Sequence, residues 1–190
     1  MLNHFRFSAL IFTLSLTIAV GQSKKEDIWA DDNFNGLEFR SIGPALMSGR
    51  ISDIAIHPED NNTWYVSVGS GNVWKTENAG ITWTPIFDDQ GSYSIGCVTI
   101  DPNNPNVVWI GTGEDLGGRH FGYGDGVYRS DDGGKTWTNM GLKNSEHVSK
   151  IVIHPNDSNT IWVASQGPLW SKGGERGVYK TTDGGKNWKS

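Results

Sequence analysis

The sequence repeats one eight-residue phrase three times, as TENAGITW (76–83), SDDGGKTW (130–137) and TTDGGKNW (181–188). Each copy follows an apolar-aromatic run: Val-Trp-Lys, Val-Tyr-Arg or Val-Tyr-Lys. An aspartate at the third position can accept hydrogen bonds from backbone N–H groups of its own turn. A glycine at the fifth position allows backbone angles closed to other residues. The phrase therefore predicts a strand, a tight turn and a second strand, written three times.

The phrase fits the Asp-box motif, Ser/Thr-x-Asp-x-Gly-x-Thr-Trp. The second copy fits best, because Asn78 replaces the aspartate in the first copy and Asn187 replaces the threonine in the third. We expect these turns to be structural, since their carboxylates are occupied by the turn itself. The residues assigned to them are Thr76, Asn78, Gly80, Trp83, Ser130, Asp132, Gly134, Thr136, Trp137, Thr181, Asp183, Gly185 and Trp188.

A longer unit surrounds each motif. The motifs start at residues 76, 130 and 181, which are 54 and 51 residues apart, and each is preceded by two apolar strands joined at a proline turn. Four short strands in a repeat of this length predict an all-β protein, a β-propeller of four-stranded antiparallel blades. The blades are predicted at about 49–88, 93–141 and 147–190. A stacked β-solenoid is the alternative, although its coils are shorter.

Three blades cannot close a ring, because propellers typically have 4–8. We therefore expect an N-terminal fragment, residues 44–190 being an incomplete propeller that partners the rest of its own chain, the missing blades. Residues 22–43 are interpreted as a linker. Within it, residues 37–42 alternate in polarity, and we expect them to close the ring as the outer strand of the last blade.

The N-terminal residues predict export. Residues 1–21 combine Arg6, an apolar run and small residues, as a secretory signal peptide does. An uncleaved anchor is the alternative. After cleavage no segment remains that could span a membrane. The expected location is periplasmic, cell-surface or extracellular.

Composition excludes several classes of partner and site. Cleavage would leave 15 basic and 21 acidic side chains, a formal charge of −6, which gives no electrostatic footprint for nucleic acid. Cys97 is the only cysteine, so no intrachain disulfide can form, and we expect a buried spectator thiol. The acidic residues of the second blade have neither EF-hand nor zinc spacing. No metal and no cofactor is therefore expected.

The repeat sorts the loops onto two faces, with the Asp-boxes on one. The other face carries two long insertions, at 114–125 and 167–176, rich in charged and aromatic residues. Long loops of this kind are where propellers place recognition. The alternative is that they only cover the disc or pack on another domain. The residues of the predicted ligand-binding rim are Arg50, Tyr93, Arg119, His120, Tyr123, His147, Trp170, Glu175 and Arg176.

From about Phe39 onward the chain resembles the Asp-box propellers of sortilin-type N-terminal domains, and especially exported bacterial proteins labelled glycosyl hydrolases. SGRISDIAIHP, GYGDGVYRSDDGGKTW and GERGVYKTTDGGKNW carry the resemblance. Xyloglucanase-like members have a catalytic aspartate just after the second strand of the first blade. The matching stretch here, residues 67–72 (SVGSGN), has no carboxylate. Sialidase-like chemistry needs arginines that grip a carboxylate, and only Arg50 and Arg119 are candidates.

The resemblance thus implies a module that binds a protein or carbohydrate ligand, or acts as a scaffold, and is non-catalytic in these residues. The alternative is a glycoside hydrolase, xyloglucanase-like or sialidase-like, using Glu114 or Asp115 with acids from downstream blades. A structural or assembly factor of the cell envelope is a third interpretation. Because fold does not settle function, all three stay open at this point.

Overall fold

A computed structural model describes residues 49–115 and 121–190. The predicted signal peptide, linker and ring-closing strand lie outside the described residues, as do Arg119 and His120. The described residues form strands and turns, without a helix among them. The strands are β1 (Ile51–Ile56), β2 (Trp64–Val68), β3 (Asn72–Thr76), β4 (Thr84–Pro85), β5 (Ile95–Ile100), β6 (Val108–Thr112), β7 (Val127–Ser130), β8 (Thr138–Asn139), β9 (Val148–His154), β10 (Asp157–Ser165) and β11 (Gly177–Thr181).

The strands form three antiparallel sheets in chain order. The first two sheets are β1-β2-β3-β4 and β5-β6-β7-β8, and the third is β9-β10-β11. A single bridge between Lys180 and Lys189 lies in the third sheet where β4 and β8 lie in the others. Each sheet is one blade, and the predicted all-β propeller architecture is confirmed.

The apolar core lies between neighbouring blades. Tyr65, Val73 and Phe87 of the first blade pack on the second blade in one cluster. The opposite face of the second blade, which includes Trp109 and Val127, packs on the third blade in another. Because both faces of the second blade are covered, β5 and β6 are buried at nearly every position rather than alternating between buried and exposed residues.

Each Asp-box is held by its own side chains. In the second copy Asp132 Oδ1 accepts hydrogen bonds from the backbone N–H of Thr136 at 2.8 Å and from Ser130 Oγ at 2.7 Å. Asp183 makes the matching contacts in the third copy. Asn78 replaces them in the first copy, where its Oδ1 accepts from the backbone N–H of Thr82 at 2.9 Å. The two imperfect copies of the motif therefore fold like the perfect one.

In the second and third copies, the tryptophan of the box bonds its blade to the preceding blade. Trp137 Nε1 donates to the carbonyl oxygen of Ile86 at 2.7 Å, and Trp188 Nε1 donates to that of Met140 at 2.7 Å. The rings also meet aromatic neighbours edge to face: Trp137 with Phe87, and Trp188 with Trp109. The hairpin thus closes its own turn and also contacts the preceding blade.

The box turns and the turns between the first two strands share one side of the blades. In each blade a backbone N–H of the box donates to that turn at 2.8 to 3.0 Å. The donor and acceptor residues are Ala79 and Asn62, Gly133 and Asn106, and Gly184 and Asn159. We call this side the box face and the opposite side the loop face. Residues 49–115 and 121–190 contain no helix that is long and apolar enough to cross a membrane.

Candidate ligand site on the loop face

Three equivalent residues begin the innermost strands on the loop face. The carbonyl oxygens of Arg50, Ser94 and His147 accept backbone hydrogen bonds from the end of the neighbouring strand of the same blade, at 2.7 to 2.8 Å. The repeat therefore places an arginine, a serine and a histidine side by side in successive blades. Two of them, Arg50 and His147, were predicted from the sequence as rim residues.

Glu114 joins these positions from the second blade. Its side chain is fully buried, and its Oε1 accepts from Arg50 Nε at 2.6 Å in an ion pair between the first two blades. It also packs over Gly69, where a Cβ atom would lie 2.8 Å from Oε1. Arg50 therefore already pairs with a carboxylate of its own chain, which a ligand carboxylate gripped as in sialidase-like chemistry would have to displace or share.

His147 is buried and lies against Glu114, Phe121 and Tyr123 of the second blade. Its Nδ1 lies 2.7 Å from the carbonyl oxygen of Glu114, so Nδ1 carries a proton and donates it. Its Nε2 is buried and has no partner among the described residues. Burial lowers the pKa of His147 below its usual value of 6.5. The imidazole is therefore neutral at neutral pH and can accept one further hydrogen bond.

This imidazole belongs to an aromatic cluster, which we define as Phe121, Tyr123, His147 and Trp170. The ring of His147 lies 5.6 Å from that of Tyr123 and 6.0 Å from that of Phe121, and Phe121 lies 6.4 Å from Trp170. Tyr123 is 58% exposed and Trp170 is 76% exposed. The cluster combines rings from the long loops of the second and third blades. Phe121 was missed as a site residue, although it lies in the predicted insertion.

The backbone beneath these aromatic residues is fixed. The carbonyl oxygen of Gly122 accepts from the backbone N–H of Glu114 at 3.1 Å, and the N–H of Gly124 donates to the carbonyl oxygen of Glu146 at 2.7 Å. Ser92 Oγ donates to the carbonyl oxygen of Tyr123 at 2.9 Å. Gly124 is required, because a Cβ atom there would lie 2.2 Å from the carbonyl carbon of Thr112. The exposed ring of Tyr123 is thus presented on a backbone that is already in place.

Asp115 follows Glu114 and is half-buried. Burial, and then the charges of Asp53 and Glu114, raise the pKa of Asp115 above its usual value of 3.8. Its backbone oxygen accepts from Gln166 Nε2 at 3.2 Å. Asp53 itself is paired with Lys150 of the third blade at 3.2 Å. The surroundings of Asp115 therefore make protonation of its carboxylate easier than in an exposed aspartate.

The other predicted rim residues separate into two groups. Tyr93 is exposed and available to a ligand. Glu175 accepts from the backbone N–H of Asn144 at 2.8 Å, and Arg176 donates to the carbonyl oxygen of Pro168. Both charged side chains thus brace the long loop of the third blade.

Two further predictions concern metals and the thiol. The described residues contain no group of three His, Cys, Asp or Glu side chains placed to hold a metal ion.

Cys97 is buried on β5, the innermost strand of the second blade, and burial raises the pKa of its thiol to about 12. A thiol that stays protonated is not an effective nucleophile, since the thiolate is the reactive form.

The comparisons with known proteins agree with the motif and the fold. The family described as BNR/Asp-box repeat matches residues 128–139. The chain is 24% identical to a probable oligoxyloglucan-reducing end-specific xyloglucanase of Neosartorya fischeri, over 80% of this chain and 25% of that protein. It thus spans about a quarter of the length of this curated relative.

Two solved structures share the fold. A GH74 enzyme of Niastella koreensis is 26% identical with a TM-score of 0.53, covering 72% of this chain and 20% of the enzyme. YCF48 of Cyanidioschyzon merolae is 21% identical with a TM-score of 0.51, covering 77% of this chain and 38% of that one. The sequence is therefore similar to glycosyl hydrolases of propeller fold, whereas the likeness to YCF48 concerns the fold alone. The likeness to sortilin-type domains stays a prediction.

Proposed function

For a chain built from Asp-box propeller blades, we propose a function in binding rather than catalysis, with a carbohydrate chain as the ligand of the loop face. One observation carries the proposal: the aromatic cluster presents exposed Tyr123, on a fixed backbone, together with exposed Trp170, next to polar groups. Ligand sites typically combine aromatic surface with a few convergent polar groups. A sugar chain has both apolar ring faces and hydroxyl groups to match.

The fixed backbone supports binding energetically. Association loses free energy when side chains and loops must be ordered, and a site that is already ordered avoids most of that loss. The backbone contacts of Gly122 and Gly124 hold residues 122–124 in place without a ligand. His147 supports the same interpretation: its Nε2 has no partner within residues 49–115 and 121–190, and it is an acceptor for a ligand hydroxyl group once the covering side chains adjust.

The carboxylates favour binding over hydrolysis in these residues. Glycosidases use paired carboxyl groups that flank the bond to be cleaved. Residues 67–72 supply none, and the buried side chain of Glu114 packs over this stretch while bound to Arg50. Glu114 is therefore poorly placed to reach a substrate.

Hydrolysis is a second candidate because of Asp115. Its raised pKa suits a general acid, which must hold a proton to give to the leaving oxygen. The similarity to a xyloglucanase favours the same activity. The second carboxylate would then come from further blades of a longer chain, and export to the periplasm or cell surface remains part of the proposal.

The binding proposal is tested with the exported chain and a panel of plant and bacterial glycans, by affinity electrophoresis and calorimetry. Trp170→Ala and Tyr123→Ala should each weaken binding by about 2 kcal/mol, roughly 30-fold in Kd, as expected for aromatic anchors. Ile81→Ala is the matched control, because Ile81 is an exposed apolar residue on the box face. Absence of binding to every glycan, or equal loss in the control, would refute the proposal.

The second candidate is tested by turnover of the same glycans. Asp115→Asn should abolish turnover if Asp115 is the acid, while Asp89→Asn, which alters an exposed carboxylate, should not. Glu114→Gln tests the remaining predicted acid in the same assay. Binding without turnover in the unmodified chain would reject hydrolysis and leave the binding proposal intact.

A further inference from the structure

Buried acceptor atoms without a donor lie beside the aromatic cluster. Glu114 Oε2, Asp115 Oδ1 and His147 Nε2 are each buried and have no hydrogen-bond partner within residues 49–115 and 121–190. The three residues are contiguous, because the carbonyl oxygen of Glu114 contacts His147 Nδ1 and Asp115 follows Glu114. The ionised carboxylates and the unprotonated imidazole nitrogen can only accept hydrogen bonds. The hydrogen bonds still open at this place are therefore ones that a ligand must donate.

The charges next to the imidazole are negative. The carboxylates of Glu114 and Glu146 both act on His147 in the direction that favours a positive charge. Neither Asp115 nor Glu146 forms an ion pair within the described residues. The chain as a whole is acidic too, with a formal net charge of −5. A cationic group of a ligand is therefore attracted to this part of the loop face.

Most described cations near the loop-face ends of the strands already have partners in the chain. Arg50 and Lys150 each pair with a carboxylate. Arg176 donates to a backbone carbonyl oxygen of its own loop. Lys172 is exposed, so water and salt screen its charge. The negative charges beside the cluster are therefore only partly compensated by the described residues.

The rings of the cluster differ from other aromatic rings of the blades in having no cation upon them. In each blade a cation of the third strand lies 5.1 to 5.7 Å from the ring centre of an aromatic residue of the second strand. Among the described residues no cation lies over Phe121, Tyr123 or Trp170 in this way. The exposed ring faces of Tyr123 and Trp170 can therefore take a cation from a ligand, to which the ring quadrupole is attracted. The pairs within the blades are Lys75 with Tyr65, Arg129 with Trp109, and Lys180 with Trp162.

We propose, resting on the carbohydrate function proposed above, that the ligand of the loop face is a sugar chain with free, protonated amino groups. The sugar rings stack on Tyr123 and Trp170, and an ammonium group lies over one of these aromatic rings. The same group brings several N–H donors and a positive charge to a place that has acceptors and uncompensated carboxylates. An uncharged sugar chain keeps the stacking but lacks the charge, so the amino group sets the preference between the two.

The test measures binding of three hexamers to the exported chain by calorimetry at pH 6. Cellohexaose, the glucosamine hexamer and the N-acetylglucosamine hexamer share one β-1,4-linked backbone and differ only in the group at carbon 2. We expect the glucosamine hexamer to bind about tenfold more tightly than either uncharged hexamer, as an ammonium group on an aromatic ring near carboxylates should. The difference should shrink at high salt. Hexalysine has the charge without the sugar rings and should bind more weakly than the glucosamine hexamer.

Two variants locate the preference on the loop face. Glu146→Gln removes a charge but keeps the backbone carbonyl that holds Gly124, and the ratio of the charged to the uncharged affinity should fall toward one. Glu59→Gln is the matched control, because Glu59 is an exposed carboxylate in the first turn of the box face, and it should leave the ratio unchanged. Trp170→Ala should weaken binding of the glucosamine hexamer as well.

The outcomes separate this preference from the carbohydrate proposal. Equal affinity for the three hexamers, or tighter binding of an uncharged one, would overturn the amine preference and leave carbohydrate binding intact. Tighter binding of hexalysine, or a glucosamine affinity unaffected by Trp170→Ala, would mean that the general acidity of the chain holds the ligand, and the preference would again be wrong. Only a failure to bind any glycan of the larger panel counts against the carbohydrate proposal itself.

Discussion

Gly69 is expected to be intolerant of alanine because of its contact with a buried side chain. A Cβ atom at this position would lie 2.8 Å from Oε1, 2.9 Å from Cδ and 3.0 Å from Cγ of Glu114. Glu114 cannot turn aside freely, since it is fully buried and bound to Arg50. The backbone of Gly69 is not in the left-handed region, so the cost comes from the contact. We expect Gly69→Ala to lower the free energy of unfolding by about 1–3 kcal/mol, as overpacking does.

A double-mutant cycle isolates this contact. Removing one partner of a buried ion pair costs about 3–5 kcal/mol, and we expect Glu114→Ala to fall at the lower end because the half-exposed Arg50 can return to water. In that background Gly69→Ala should cost nothing further, which gives a coupling energy of about 1–3 kcal/mol. Glu114→Gln is the control, since it keeps the atoms that clash.

The assay is urea unfolding followed by tryptophan fluorescence. Unfolding free energies of the four proteins in the cycle give the coupling directly, provided that the m-values agree. If Gly69→Ala were equally destabilising with and without the Glu114 side chain, the contact would not be the cause and the packing described for the loop face would be wrong.

Two predictions concern titration. Because burial lowers the pKa of His147, the unfolded chain binds more protons than the folded one below the ordinary value of 6.5. The unfolding free energy should therefore fall as pH is lowered from 7.5 to 5.5, and His147→Phe should reduce that slope, as pH-dependent urea melts would show. An unchanged slope would contradict the burial of the imidazole. Hydrogen bonds from Thr181 and Asn187 lower the pKa of Asp183 to about 2. Carbon-detected NMR titration should find this value. A pKa near the usual 3.8 would mean that the box does not hold the carboxylate of Asp183.

The blades could be predicted from the sequence because their determinants are local. The box turn is closed by residues two to four positions apart, such as Ser130, Asp132 and Thr136, so eight residues suffice to identify it. The tandem repeat then gives the architecture. Asn78 looks like a defect in the motif, but an amide oxygen accepts the same backbone hydrogen bond as a carboxylate. The motif pattern therefore understates how well the turn of the first copy forms.

The site could be predicted only in outline. Insertion length pointed to the face that carries the aromatic cluster, but the ion pair between Arg50 and Glu114 joins residues 64 positions apart. The pair of Asp53 and Lys150 joins residues 97 apart. No periodicity indicates which of two charged neighbours is buried, so Glu114 and Asp115 looked alike in the sequence and differ in the structure. Packing between blades makes that distinction.

The indole hydrogen bonds of Trp137 and Trp188 have a consequence for how such a protein can change over evolutionary time. Both link one blade to its predecessor on the side where the boxes lie. These hydrogen bonds between successive blades therefore lie on the box face, away from the long insertions of the loop face. Substitutions and length changes in those insertions can accumulate without loosening the assembly. One framework could in this way have given rise to descendants that recognise unrelated molecules.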